Sequence, residues 1–365
     1  MLVATRPPTS LLSRTTRATA LIVAGLPPIA AAGIGPTSLH PAGASSSFAW
    51  GVEGSRQVGQ ALLGGANHAV LWGGSAASAI DLNPAGASAS IAYGTSGGQQ
   101  AGFARVGNVG RASLWSGTAA SWVDLSPTGA TTSFALDIAP GQQVGWATVD
   151  GVQRASLWSG TSASWVDLSP LNSTSSQANG TDGAQQVGQS MVFGTTRASL
   201  WSGTAASWVD LAQFGWTFSV AQGVHDGQQV GQAFVNGQYR ASLWTGSAAS
   251  WADLTPAGAT FSTANAVFDG VQVGAARFGG VDRAGLWMGS AGTWQDLTLS
   301  LPGSWGETSA QSVWTDATTI YIAGYGRNLD TDRTEALLWT VPIPAPGAAA
   351  VAGIAGVIAA RRRRR

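Results

Sequence analysis

Arg111-Ala112-Ser113-Leu114-Trp115-Ser116-Gly117-Thr118-Ala119-Ala120-Ser121-Trp122-Val123-Asp124-Leu125 returns almost unchanged at Arg154 to Leu168 and at Arg197 to Leu211. These copies differ only where Ser162 replaces Ala119. A Leu-Trp pair extends the pattern in both directions, with Trp at 72, 115, 158, 201, 244 and 287. Every gap is 43 residues, and Leu338-Trp339 follows after a longer gap of 52. An Asp-Leu pair trails each of the first six at a fixed offset, at Asp81, Asp124, Asp167, Asp210, Asp253 and Asp296. A Gly precedes each Trp, at 59, 102, 145, 188, 231, 274 and 324. A fixed period of this length marks a repeat architecture, in which each unit buries its apolar face against its neighbours.

Each unit holds four short strand-like runs. In the second they fall near 89–93, 99–104, 111–115 and 122–125, separated by Gly, Ser, Asn and Pro clusters. Strand alternation puts Arg111, Ser113 and Trp115 on one face and Ala112 and Leu114 on the other. A hairpin closing through Ser116 to Ser121 places Ser113 opposite Asp124 and Trp115 opposite Trp122, a Trp pair on every unit. Four strands in 43 residues match a β-propeller blade, about 40–45 residues long.

Seven Leu-Trp pairs predict an all-β, seven-bladed β-propeller. The seventh unit lacks a fourth strand, because Pro342 follows Trp339 almost at once. Ser38 to Ala44 matches Asp81 to Ala87, and Leu39 lies 43 residues before Leu82. The N-terminal strand is therefore expected to close the last blade and remove an exposed edge. A β-solenoid with two coils per unit is the rival architecture, but it has no use for that match. The last unit carries the extra nine residues, which places two longer loops at 298–316 and 326–335.

The body is acidic although the whole chain has no net charge. Arg6, Arg14, Arg17 and Arg361 to Arg365 lie at the ends, leaving 10 Arg against 18 carboxylates between them. Such a body repels phosphate backbones, which argues against nucleic-acid binding. With no Cys among 365 residues, disulfides and Cys-ligated metal sites are excluded. The 17 Trp speak against a disordered chain.

Both ends read as address labels. Residues 1–32 have the form of a secretory signal peptide: Arg14 and Arg17, an apolar run from Ala18 to Leu26, then Ala30 and Ala32 as the small residues that signal peptidase requires. Residues 33–340 form the repeat domain. Residues 341–365 begin with Pro342, Pro344, Pro346 and Gly347, continue as a short apolar stretch to Ala360, and finish with Arg361, Arg362, Arg363, Arg364 and Arg365. A helix over 347–360 would span only about 21 Å, short of a bilayer core of about 30 Å. The Arg cluster would stay on the cytoplasmic side. This tripartite end resembles the PEP-CTERM sorting signal that exosortases process in bacteria with outer membranes. Pro342-Ile343-Pro344 and Pro344-Ala345-Pro346 stand where that signal has Pro-Glu-Pro. A plain C-terminal transmembrane tail anchor is the alternative.

The repeat itself resembles the HAF-family extracellular repeat. His68-Ala69-Val70-Leu71-Trp72 stands where the family has His-Ala-Phe-Leu-Trp, with Asp81-Leu82 and Gln99-Gln100-Ala101-Gly102 also in place. Later units have Arg-Ala-Ser instead. The resemblance covers roughly 34–340 and implies an exported repeat protein with no established catalytic residues.

The repeated Asp and the Arg four residues before each Trp read as a structural pair, and the Leu-Trp residues as packing between blades. Trp50, Trp146, Trp216, Trp305 and Trp314 break the pattern; Trp216, Trp305 and Trp314 are carried forward as ligand-binding candidates. His40, His68 and His225 occupy different places in the repeat, so no triad or metal cluster is indicated, and no cofactor is expected. The reading is an exported scaffold of the cell envelope, cell surface or extracellular matrix of a bacterium. Its expected partners are signal peptidase, an exosortase-like enzyme, and polysaccharide or surface proteins. A secreted polysaccharide lyase or hydrolase is the alternative.

Overall fold

Seven four-stranded antiparallel sheets make up the computed structural model, which describes residues 33–343. Six blades run in chain order from the innermost strand outward. The runs read in the second unit form as Ala87–Ser96, Gln99–Val106, Val109–Trp115 and Val123–Asp124. In the seventh blade Gly35–Ser38 is the outermost strand, paired from Gly35↔Thr340 to Ser38↔Leu337. The ring is a seven-bladed β-propeller closed by its own N-terminal strand. No helix among the described residues is long and apolar enough to cross a membrane. The tail's apolar stretch lies outside them, as do Ala30, Ala32, Pro344, Pro346, Gly347 and Arg361 to Arg365. Pro342 ends the third strand of blade 7, where a missing N–H costs little.

The cores lie between blades. Trp115 is fully buried with Val58, Leu71 and Leu82 of the preceding blade. Trp158 does the same against Leu114 and Leu125, and Trp72 closes the circle against Leu39, Ala336 and Leu338. A buried hydroxyl reinforces each seam. Ser133 Oγ accepts from Ala112 N–H at 2.9 Å, and Ser90, Ser176, Ser219, Ser262, Thr308 and Ser47 repeat that bond at 2.8–2.9 Å. The last joins Ser47 to Ala336 and so ties the two ends of the ring.

The Arg–Asp pairing forms in blades 2 to 6, with Nη1 to Oδ2 distances of 2.5–3.0 Å. Blade 1 substitutes His68 and Asp81 at 2.7 Å. Blade 7 reverses the chemistry, with Ser38 Oγ donating to Glu335 at 2.9 Å. These pairs are partly exposed, so they hold register more than they add stability.

Two expectations need correction. Ser113 does face Asp124, but the outermost strand is only two residues long. A single 3-10 turn, Ala119–Ser121, occupies the rest of the connection. Trp122 therefore donates its indole N–H to Ser113 Oγ at 2.8 Å instead of pairing with Trp115, and blades 3 to 5 repeat this bond. A Trp pair forms in blade 6, where Gly285 replaces the serine. A side chain at Gly285 would collide with the Trp294 ring, which lies 4.6 Å from that of Trp287.

Of the long loops placed at 298–316 and 326–335, only 298–304, with the 3-10 turn Thr298–Ser300, and short turns at 316–318 and 329–332 stand outside strands; most of the extra residues do not form loops. They lengthen the strands of blade 7, which run over Trp305–Thr315, Thr319–Asn328 and Arg333–Pro342. The added residues continue to pair, from Trp305↔Asn328 inward, because pairing satisfies backbone groups that a loop would leave to water.

Candidate functional site

The innermost strands surround a channel, and a bulge in each strand aims one residue at it. In blade 2 the register slips between Ala92 and Gly94, leaving Tyr93 unpaired. The same slip recurs in every blade. It arises where the second strand carries its repeated Gly. A Cβ on Gly102 would strike the carbonyl oxygen of Ile91, so the two backbones approach as closely as they do only because Gly is there.

The seven bulge residues divide into two arcs. Trp50, Tyr93 and Leu136 form an apolar arc on blades 1 to 3, and Asn179, Gln222, Asn265 and Gln311 form an amide arc on blades 4 to 7. Further rings extend the apolar arc. Trp50 lies 5.7 Å from Phe48, stacked, and 5.5 Å from Tyr325, edge-on. Tyr93, Phe103, Phe134 and Trp146 continue the series at 6.4, 4.3 and 4.6 Å.

Neighbours orient the amides. Gln177 donates to Asn179 Oδ1 at 2.7 Å, and Asn179 Nδ2 donates to Ala221 O at 2.9 Å. Thr263 donates to Asn265 Oδ1 at 3.1 Å, and Asn265 Nδ2 donates to Ala310 O at 2.8 Å. Each Asn thus keeps one amide proton uncommitted. Gln311 donates to Ser309 at 2.7 Å and retains its carbonyl oxygen. The Gln222 side chain makes no hydrogen bond to another of the described residues.

The cavity measures about 400 Å³, and its rim carries Glu53, Asp182, His225, Phe268 and Trp314. Glu53 accepts from Ser96 Oγ at 3.3 Å and Gly97 N–H at 3.1 Å. The His225 ring lies 4.0 Å from Phe268, which in turn lies 6.0 Å from Trp314. Asp137 stands in the wall where other blades place Gly, Ala or Ser, and it accepts from Thr181 N–H at 2.9 Å. Burial pushes its carboxyl up to about 6 and the Tyr93 phenol up to about 12.

Asp137 therefore gives stability a measurable pH dependence. The folded chain holds this proton more tightly than the unfolded chain, whose carboxyl keeps the ordinary value of 3.8. The contribution of Asp137 is thus most favourable below pH 3.8 and is lost as pH rises to about 6. Urea midpoints of wild type and Asp137→Asn, compared across that window, should shift in the variant's favour with rising pH. Parallel profiles would remove Asp137 from the account.

Of the sequence candidates, Trp314 is at the channel rim. Trp216 packs edge-on against Trp251 at 5.1 Å, near the outer end of a blade seam. Trp305 donates its indole N–H to Pro302 O at 2.7 Å and packs on the blade 6–7 core. The structure does not bring the three together. Tyr93, Asp137 and the amide arc escaped the sequence reading. The bulge position lies 22 residues before the repeated Trp in the first six units and 28 before Trp339 in the last, with Asp137 one residue after it, and its varied residue types are the signal the sequence carried.

No family model and no curated protein matches the chain. Solved structures do. The S511A mutant of puromycin hydrolase, complexed with PGG, aligns with a TM-score of 0.56 at 14% identity, over 85% of this chain and 55% of that one. This chain thus spans about half of that hydrolase, and the likeness shows the propeller fold alone. Oligogalacturonate lyase in complex with manganese aligns at 0.49 and 10% identity, over 85% and 96% of the two chains. TolB from Acinetobacter baumannii aligns at 0.43 and 10%, over 76% of each.

Proposed function

We propose that this protein is exported and acts as a binding scaffold of the bacterial cell envelope or extracellular matrix, holding its ligand in the propeller channel and catalysing no reaction. One observation carries the reading. Blades that share one backbone plan, three of them with a near-identical stretch over 111–125, 154–168 and 197–211, present different side chains at the residue each aims into the channel. A purely structural ring has no need of that difference, whereas a ligand meets all seven residues at once. The apolar run before Ala32 and the Pro-rich, apolar and Arg-rich tail support export and sorting by an exosortase-like enzyme.

The test uses the full chain with an epitope in the exposed Asn236-Gly237 turn, made in an outer-membrane bacterium that has an exosortase. The wild type should be accessible to antibody on intact cells. Deleting Arg361 to Arg365 should abolish that exposure and leave the protein in the membrane fraction or periplasm. Cytoplasmic retention of both forms would overturn the export reading.

A further inference from the structure

The channel's two arcs are chemically opposite, and that pairing narrows the ligand. The apolar arc lines the cavity with the aromatic side chains of Trp50 and Tyr93. Such rings stack against apolar C–H faces and provide little for a charged group's hydrogen bonds. Across the cavity stand four amides, groups that both donate and accept. A hydroxyl also does both, so an arc of amides matches a polyhydroxylated ring better than it matches a carboxylate, a phosphate or a hydrocarbon. Electrostatics agrees. The cavity lining carries Glu53, Asp137 and Asp182 and has no Arg among its residues. The three carboxylates disfavour an anionic ligand, with His225 the one lining side chain able to carry a positive charge. The volume, about 400 Å³, falls in the range of about 300–1,000 Å³ usual for small-molecule sites.

We infer that the channel binds a neutral saccharide, stacked on Trp50 and Tyr93 and hydrogen-bonded by Asn179, Gln222, Asn265 and Gln311. The inference rests on the channel being the ligand site. Gln222 is the sharpest probe, because its amide serves no other residue. Asn179 and Asn265 also hold backbone carbonyls of the next blade, so their loss would disturb the ring itself.

The experiment titrates the purified full-length chain with maltotriose, cellotriose, triacetylchitotriose, trigalacturonate and spermidine. Calorimetry and intrinsic Trp fluorescence are the readouts. At least one neutral trisaccharide should bind and perturb the fluorescence. Gln222→Leu should weaken it about fivefold to tenfold, the loss of one hydrogen bond, with an unchanged melting temperature. Trp50→Leu should weaken it at least as much. Trigalacturonate should not bind.

Spermidine binding that Gln222→Leu and Trp50→Leu both weaken, with no neutral sugar bound, would overturn the saccharide assignment and leave the channel standing as the site. Saccharide binding indifferent to both substitutions would overturn the channel as well. Failure of all five probes at millimolar concentration would overturn the saccharide inference, while the surface-exposure assay would still report on the scaffold reading.

Discussion

Deleting residues 33–39 is expected to destroy the stable monomeric ring. The segment supplies the outermost strand of blade 7, four residues paired with the third strand of that blade. It also supplies Leu39, fully buried in the seam between blades 7 and 1 beside Trp72. Truncating a buried Leu to Ala alone costs about 2–5 kcal/mol, a large share of a total stability of about 5–15 kcal/mol. The deletion goes further. It strips the partner from Leu337–Thr340 of the strand Arg333–Pro342 and removes one of the two hydroxyls that Glu335 accepts from. The strand is then unpaired along its whole outer edge, a template for pairing with another chain. Urea denaturation should show a much lower midpoint, and sedimentation velocity should show oligomers. A deletion variant with the wild-type midpoint that remains monomeric would mean that the ring is closed by something else.

Gly145→Ala and Gly151→Ala form the second experiment, and their costs should differ widely. The backbone of Gly145 passes beneath the Phe134 carbonyl, and a Cβ there would overlap that oxygen. The obstacle is backbone on the innermost strand, so relief requires moving the channel wall. We expect about 3 kcal/mol or more, at the upper end of overpacking penalties. Gly151 lies in the turn after the second strand, Gln142–Val149, which also holds Gly145; its φ is 77° and nothing lies within 4 Å of a built Cβ. Alanine there meets only the left-handed backbone penalty, about 1–2 kcal/mol. Equal urea-denaturation losses would show that the close approach does not constrain Gly145.

The Gly pair also shows what reading along the chain could and could not reach. The Gly was visible as a repeated mark, yet nothing local to it names the Phe134 carbonyl above it. The Trp pairs expected in each unit failed for a similar reason. Alternation in Arg111 to Trp115 set the facing of Ser113 and Asp124 correctly, but the side chain of Ser113 decides where the Trp122 ring goes. Gly285 shows the alternative. The extra residues of the last unit read as loops because an insertion breaks the period, although their side chains continue to alternate and pair.

Repetition alone determined the number of blades, the four strands in each, the closing role of the N-terminal strand and the pairing of each Arg with its Asp. Those features are local or periodic, and a copied unit repeats its own contacts wherever it stands. Which residues line the channel was decided only by tertiary structure. Both faces of a blade are buried, so a two-residue alternation does not distinguish the blade seam from the axis. The bulge that exposes Trp50, Tyr93 and Gln222 forms opposite the Gly of the second strand in each blade, and only the closed ring brings those residues to one cavity. The repeat could reveal that this position varies; the ring places its seven variants around one cavity.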